Sequence, residues 1–291
     1  MNDGRGTEKK FSGVGPGVMT VLVCLLLLAA PAVSGAGDTR KLPLWEAGLG
    51  VASLSMPSYR GAKNREFYLA PTPYIIYRGD FLKMDRDGLR GLFYDSPRLS
   101  VELSAGGALP ASSDGDTRRA GMPDLDPVGE IGPSLNYLLY DGDQTRVRMR
   151  LPVRAIFSSD LTYIDDHGWK THPNINVKVA DVWKGWHLGI TLGPIFAGNR
   201  YHAYYYEVEP AYATPVRPVW RAKGGYSGTA LMLSASRRFG DIWAGMFVRY
   251  DNLDGAAFIG SPLVETRHAV MAGLAISRVF WRSERTVPVD E

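Results

Sequence analysis

The chain has 291 residues, a formal net charge of +3 and 22% charged residues. This near balance, with no lysine or arginine run longer than the pairs at 118–119 and 237–238, argues against a nucleic-acid-binding protein. Aromatic residues make up 11%, including 15 Tyr and 7 Trp, which is rich for a soluble enzyme. Such a content is ordinary for a membrane barrel with aromatic girdles at both interfaces.

Residues 1–36 have the pattern of an export signal. Arg5, Lys9 and Lys10 precede an apolar run at 18–30, and small residues follow it. The run is shorter than the ~20 residues that a helix needs to cross a bilayer. We therefore predict a cleaved signal peptide over 1–36, which removes the single cysteine, Cys24. A mature chain without a thiol forms no disulfide and performs no cysteine catalysis.

No later segment contains an uninterrupted apolar run long enough for a membrane helix. Short segments with a two-residue apolar period occur instead, and this period is the signature of β-strands. We predict an all-β fold with about twelve strands. In chain order they cover residues 44–54, 67–77, 81–85, 89–94, 98–107, 128–140, 145–157, 172–182, 186–195, 225–238, 242–250 and 268–280.

The predicted strand at 145–157 gives the strongest indication of the environment. Arg146, Arg148, Arg150 and Arg154 share one parity, so they project from one face of the strand. The opposite face carries only apolar residues, namely Val147, Met149, Leu151, Val153, Ala155 and Phe157. A membrane barrel turns such an apolar face to lipid and the charged face to a wet lumen. A soluble sheet accommodates the same alternation, so the other strands and the loops have to decide.

Long and short connections alternate along the chain. The long ones lie near 55–65, 108–126, 158–171, 197–224 and 252–267, and the short ones near 78–80, 141–144, 183–185 and 238–241. Outer-membrane barrels have short periplasmic turns and long outer loops. The sequence therefore predicts a transmembrane antiparallel up-and-down β-barrel over 37–281, followed by a periplasmic tail at 282–291. The weak strand at 89–94 is required to keep this alternation.

Strand parity predicts a lumenal charge cluster. It places Glu46, Glu102 and Glu130 on the same inner side as Arg146, Arg148, Arg150 and Arg154. We interpret the cluster as an arginine–glutamate lattice that plugs the barrel and makes it rigid, because like charges crowded in a lumen need compensation. The alternative is a basic constriction that selects anions.

Several short stretches resemble one known family when they are taken in order. They are residues 73–79, 90–93, 132–133, 192–194 with the tyrosine-rich loop and Val208, and 261–264. Over roughly 44–280 the chain resembles the MipA/OmpV family of outer-membrane proteins. The family typically ends at an aromatic residue that closes the last strand, whereas here Phe280 is followed by a tail.

The resemblance implies a location in the outer membrane of a Gram-negative cell and a non-enzymatic scaffold role. The partners it implies are a murein lytic transglycosylase and a bifunctional penicillin-binding protein. A partner surface is then expected on the periplasmic turns, where Trp183 and Lys184 are the candidate anchor. A porin-like channel for small solutes or anions is the alternative function.

The search for catalytic residues supports neither an enzyme nor a cofactor or metal site. The five histidines are scattered, and no metalloprotease, hydrolase-elbow or P-loop motif occurs. Asp165, Asp166 and His167 with Ser158 could form a hydrolase-like or metal-binding group, but their predicted loop favours a solvated turn. A lipid-modifying barrel enzyme is therefore the third hypothesis. For the tyrosine-rich loop, we favour packing over sugar stacking: some of its tyrosines anchor the barrel at the lipid–water interface, and others fold the loop into the barrel mouth.

Overall fold

The structure is a computed structural model that describes residues 39–85, 88–115, 118–160 and 162–290, so the predicted signal peptide lies outside it. The elements are β1 Thr39–Pro43, β2 Trp45–Pro57, β3 Arg65–Arg78, β4 Leu82–Asp85, β5 Gly88–Asp95, β6 Leu99–Ala108, β7 Val128–Asp141, β8 Thr145–Ser159, β9 Ile164–Thr171, β10 Asn174–Val179, β11 His187–Ala197, α1 Asn199–Tyr206, β12 Gly225–Phe239, β13 Ile242–Asn252, β14 His268–Arg282 and β15 Thr286–Asp290.

The strands from β2 to β14 form one closed antiparallel sheet. Pro173 follows β9 and cannot donate a ladder hydrogen bond, so β9 and β10 are two halves of one wall strand. β8 pairs with β9 at Val153↔Thr171 and with β10 at Arg150↔Asn174. β11 likewise pairs with both halves. The wall therefore has twelve strands, which confirms the predicted barrel.

Burial in this barrel is the reverse of that in a soluble protein. On β8, Met149, Leu151 and Val153 are 46%, 42% and 44% exposed on the outer surface. On β7, the inward-facing Glu130 and Asn136 are buried. An exposed apolar band around a polar interior is stable only where the outer surface meets hydrocarbon. The chain is therefore an outer-membrane β-barrel.

The two ends of the barrel differ as the loop lengths predict. The long connections 58–64, 109–127, 198–224 and 253–267 lie at one end, which is the outer end by the rule for such barrels. The turns at 142–144 and 240–241 lie at the other, periplasmic end with both ends of the barrel domain. Among the described residues, no helix is long and apolar enough to cross a bilayer.

Two expectations about the outer end are corrected. The region 158–171 is not one loop, because β8 continues to Ser159 and β9 begins at Ile164. Asp165, Asp166 and Gly168 are residue types that are common in loops. Here they lie in β9, where the wall extends beyond the hydrocarbon and tolerates polar residues on its outer face. The tyrosine-rich connection contains a helix, α1, rather than only loop.

Both tails of the barrel pair with each other on the periplasmic side. β1 and β15 form a separate antiparallel pair from Thr39↔Asp290 to Pro43↔Thr286. The Leu44 N–H donates to the Arg285 carbonyl over 2.8 Å, and the Ser283 N–H donates to the Trp45 carbonyl over 3.0 Å. These bonds continue from the barrel wall into the small sheet, so residues 286–290 of the predicted tail pair with residues 39–43.

Candidate functional site

The lumen contains several separate ion pairs on different sides of the barrel. Arg154 of β8 contacts Glu130 of β7 at 3.3 Å, and its Nε donates to the Ser104 hydroxyl over 3.0 Å. Lys170 of β9 bonds to the other carboxylate oxygen of Glu130. Glu130 is buried and its two cationic partners are only partly exposed, so these residues link β6, β7, β8 and β9 across the wall.

The other acidic residues of the predicted cluster pair elsewhere. Glu46 on β2 lies between Arg78 at 2.9 Å and Arg238 at 2.6 Å. Glu102 on β6 contacts Arg90 of β5 at 3.4 Å. Of the predicted set, only Arg154 and Glu130 are joined by one of these ion pairs.

The remaining arginines of β8 follow the same inward parity. Arg146 binds Asp141 of β7 at 2.6 Å near the periplasmic end. Arg148 and Arg150 lie between Arg146 and Arg154 and are half-buried. β8 thus supplies a row of guanidinium groups along one side of the lumen.

On other strands, the lumenal faces of β3 and β13 carry an apolar section, which the sequence pattern did not predict. Phe247 packs with Leu54, Ala70 and Leu109, and Trp243 packs with Tyr74, Ile76 and Val279. The rings of Phe247 and Trp243 lie over Gly273 and Gly245, where an added Cβ would approach ring atoms to 2.4 Å and 2.3 Å. These glycines therefore allow two large inward-facing rings to lie flat against the wall. The sequence signal for these inward-facing rings is an aromatic residue with a glycine beside it, either on the adjacent strand or on the same strand.

The outer loops pack into one buried cluster at the barrel mouth. Its members come from loops on opposite sides of the barrel and from the wall itself, including Tyr59, Ile156, Tyr206, Phe258 and Leu263. The Tyr206 and Phe258 rings stack at 3.7 Å with an interplanar angle of 6°. The Tyr59 hydroxyl donates to the Leu263 carbonyl over 2.8 Å. We call this the outer cluster. Because it joins opposite sides of the wall, it covers the lumen from outside.

Buried polar side chains fasten the outer cluster to the wall. Nδ1 of His202 lies 2.6 Å from the Lys223 carbonyl oxygen, and Nε2 lies 3.0 Å from the Ser227 hydroxyl. A carbonyl only accepts, so Nδ1 carries the proton and Nε2 accepts from Ser227. Arg60 donates to the Ser227 carbonyl over 2.6 Å and forms an ion pair with Asp251 at 3.1 Å. α1 is thereby held to β12, β13 and the first outer loop.

Acidification is expected to weaken this fastening. Burial lowers the pKa of His202 below its usual range, the Lys223 carbonyl opposes this effect, and Arg60 adds to it. In the unfolded chain, the pKa of a histidine is about 6.5. Because the folded state holds the neutral ring, stability is complete above that pH and declines as pH falls below it. We expect the urea midpoint to fall more between pH 7.5 and 5.5 in the wild type than in His202→Gln. Equal falls would contradict this role of His202.

The hydrolase-like group at the outer rim is a structural contact. His167 Nε2 lies 2.8 Å from the Ser158 hydroxyl, and the His167 ring packs on Tyr204 at 4.0 Å. Ser158 is buried, so its hydroxyl is closed to a substrate. The Asp166 carboxylate accepts from the Gly168 N–H over 2.7 Å and pairs with Arg200, rather than orienting the histidine. Within the described ranges, no group of three His, Cys, Asp or Glu side chains could hold a metal ion.

Comparison with known proteins decides the family. The family model described as MltA-interacting protein MipA matches residues 49–280, which is most of the barrel. The chain belongs to the MipA family. No curated protein matches it. This MipA-family barrel also has broad similarity of shape to solved outer-membrane proteins, at sequence identities too low to say more than fold.

Three solved structures illustrate that similarity. A bacterial polysaccharide outer membrane secretin is 8% identical with a TM-score of 0.41, and the match covers 81% of this chain and 99% of that one. An outer membrane channel from Pseudomonas putida F1 is 16% identical with a TM-score of 0.38, covering 84% and 98%. The NanC porin is 9% identical with a TM-score of 0.36, covering 81% and 98%. Because these TM-scores are low, the assignment of this chain as a barrel depends on the strand pairing of the chain itself.

The periplasmic rim of this MipA-family barrel carries an exposed aromatic and cationic patch. Trp183 is 62% exposed, and the Lys184 ammonium lies 5.0 Å from the centre of its ring. At the end of β12, the Arg237 guanidinium lies 4.4 Å from the centre of the Phe239 ring. A Cβ added at Gly185 would lie 3.9 Å from Arg237, so the turn that carries Trp183 and Lys184 is adjacent to the end of β12. We call Trp183, Lys184, Arg237 and Phe239 the rim patch.

Proposed function

We propose that this MipA-family barrel is a non-enzymatic scaffold that holds murein-remodelling enzymes at the inner face of the outer membrane. The partners are a murein lytic transglycosylase and a bifunctional penicillin-binding protein. The family description, MltA-interacting protein, is the observation that carries the proposal. Both partner classes act on murein, which lies on the periplasmic side, so the contact surface belongs to the turns and tails.

The rim patch supports this proposal by its composition. Tryptophan and arginine are enriched among the residues that contribute most to protein–protein binding. Exposed aromatic residues also occur in the interfacial girdles of barrels, where they contact lipid headgroups. Lys184 has a positive φ of 50°, a backbone conformation that few non-glycine residues adopt. A turn that presents a large exposed ring suits a protein partner.

The β1–β15 sheet supplies a second surface of the same kind. A two-stranded sheet has two outer edges, and an exposed edge accepts an extended segment of another chain by β-augmentation. Pro43 and Pro288 each remove one donor from these edges, and the other residues of the sheet keep theirs. The sheet is joined to the barrel wall by the hydrogen bonds of Leu44 and Trp45.

The test is co-purification from detergent extracts with wild-type and variant barrels. We expect both murein enzymes to co-purify with the wild type, and recovery to fall in Trp183→Ala and in Lys184→Glu. Trp281→Ala is the matched control, because Trp281 is exposed on the last strand and does not belong to the rim patch. If neither enzyme co-purifies with the wild type, the scaffold function is refuted. If Trp281→Ala lowers the recovery of the enzymes as much as Trp183→Ala does, the loss is due to weaker membrane anchoring and not to the rim patch.

An anion channel is the alternative function. The guanidinium row of β8 favours it, since a basic lumen attracts anions. The outer cluster opposes it, because residues from opposite sides of the wall are packed together across the mouth. A closed barrel predicts no single-channel conductance for the wild type in planar bilayers. Conductance selective for anions, reduced when Arg148 and Arg150 are replaced by alanine, would favour the channel over the scaffold.

A further inference from the structure

Among the described residues, β3 is paired along its whole length with β2, but only near its periplasmic end with β4. β3 pairs with β2 from Pro57↔Arg65 to Trp45↔Tyr77, but with β4 only at Tyr77↔Met84 and Arg78↔Lys83. One further step in this register would place Asp85, the last residue of β4, opposite Ile76. The stretch of β3 from Arg65 to Pro73 is therefore beyond the end of β4. At about 3.3 Å per residue it is roughly 25 Å long.

The sequence of β3 suits an open edge. The Arg78 N–H donates to the Leu44 carbonyl on the β2 side over 2.8 Å. N–H groups alternate between the two edges of a strand, so residues of odd number direct theirs to the open side. Pro71 and Pro73 have odd numbers and carry no N–H. Unpaired donors are costly in hydrocarbon, and the two prolines remove two of the five that the odd-numbered residues from Arg65 to Pro73 would direct to the open side.

The surfaces on both sides of this edge are apolar. Outside, Phe67 and Leu69 are 69% and 67% exposed, more than Met149, Leu151 and Val153 of the complete wall. Inside, Ala70 packs with Leu54, Leu109 and Phe247. Met56, Met232 and Met271 surround this inner group, and their flexible side chains adapt to the shape of a ligand. The unpaired edge thus lies beside the apolar section of the lumen.

Residues after β6 form the other boundary. β6 pairs with β5 only up to Arg90↔Ser104, whereas its pairing with β7 continues to Ala108↔Val128. The Tyr68 hydroxyl donates to the Pro110 carbonyl over 3.3 Å, so the chain after β6 passes behind β3. We call the interval between β3 and residues 105–109 the wall notch. Leu109 and Ala70 close it on the lumenal side.

We infer that the wall notch is a binding site for an acyl chain of an outer-leaflet membrane lipid. The notch lies in the outer half of the wall, since Arg65 is next to the first outer loop. What surrounds it there is hydrocarbon, and the side chains that line it, Phe67, Leu69, Ala70 and Leu109, are all apolar. This inference is independent of the scaffold proposal, because it concerns the other end of the barrel.

Fluorescence quenching by brominated lipid tests the site. A bimane label on Leu109→Cys, in full-length protein with Cys24→Ser, is measured in vesicles of phosphatidylcholine brominated on its acyl chains. Ser134→Cys is the matched control, because it is also buried and lumenal but lies on β7, which is paired on both sides. Leu151→Cys reports full lipid contact on the outer surface.

An occupied notch predicts that the label at Leu109 is quenched nearly as much as the label at Leu151, and far more than that at Ser134. Ala70→Cys, a small change on β3 itself, repeats the measurement if the loop variant folds poorly. Quenching at both Leu109 and Ala70 no greater than at Ser134 would overturn the proposal, because the wall would then exclude lipid as completely here as elsewhere. Co-purification of the murein enzymes is unaffected by either outcome.

Discussion

Replacing Tyr206 by alanine is expected to open the outer end of the barrel. The ring is 1% exposed and stacked on Phe258, its hydroxyl donates to the Arg60 carbonyl over 2.9 Å, and its carbonyl accepts from Ser261 over 2.7 Å. Removing a buried aromatic ring costs about 3–5 kcal/mol. That loss falls on the packing that holds loops from different sides of the wall together. We therefore expect a lower urea midpoint and the appearance of conductance in planar bilayers.

Two further variants separate packing from hydrogen bonding. Tyr206→Phe keeps the stacked ring and loses only the hydroxyl, so we expect a loss of about 1 kcal/mol and no conductance. Tyr250→Ala removes a tyrosine that is exposed on the outer surface, stacks on His268 and does not belong to the outer cluster, so it should leave the mouth closed. A Tyr206→Ala barrel as tight as the wild type would show that other contacts close the lumen.

Replacing Glu46 by glutamine is expected to destabilise the periplasmic end of the barrel. Glu46 is 2% exposed and lies between Arg78 and Arg238, which join β3 and β12 to β2. Removing one partner of a buried ion pair costs about 3–5 kcal/mol, because a charge remains without compensation. The arginine side chains are 19% and 31% exposed, so we expect the lower part of that range. The measurement is the urea midpoint in detergent micelles.

The matched control is Asp241→Asn on a neighbouring turn. Asp241 also pairs with an arginine, Arg282, but both side chains are about half exposed, and exposed pairs contribute little. Arg282 holds the pKa of the Asp241 carboxyl below its usual range, by its hydrogen bond and its charge. Adding Arg238→Gln to Glu46→Gln should restore part of the stability, since it removes one uncompensated charge. Equal midpoints for Glu46→Gln and Asp241→Asn would contradict the account.

The sequence predicted the barrel because its signal is local. A two-residue period on β8 assigns Arg150 to one face and Leu151 to the other, whichever strand lies beside it. Partners across the lumen are not local. Parity placed Glu46 and Arg150 on the same inner surface, but it does not say which strands face each other. The structure pairs Glu46 with Arg238, which is 192 residues away in the chain.

Two features of the lumen were missed for related reasons. Phe247 and Trp243 interrupt a polar face when β13 is taken alone, but Gly273 on the adjacent strand and Gly245 on the same strand provide the space for their rings. The open edge of β3 exists because β4 is short. The register of Tyr77 with Met84 determines where β4 ends along β3, and the sequence does not give that register. Taken from the sequence alone, Pro71 and Pro73 interrupt the two-residue pattern of this strand, whereas in the structure β3 continues through them and they lie on the unpaired edge.

The orientation of β8 is the claim on which the barrel assignment depends most. A nitroxide label is placed by single cysteine substitution at each position from Arg146 to Leu151, in lipid bilayers, and its collisions with oxygen and with a water-soluble nickel complex are measured. Oxygen concentrates in hydrocarbon and the nickel complex in water. The account predicts high oxygen contact at Val147, Met149 and Leu151, and low contact at the arginine positions. The reverse pattern, or equal contact at both sets, would contradict it.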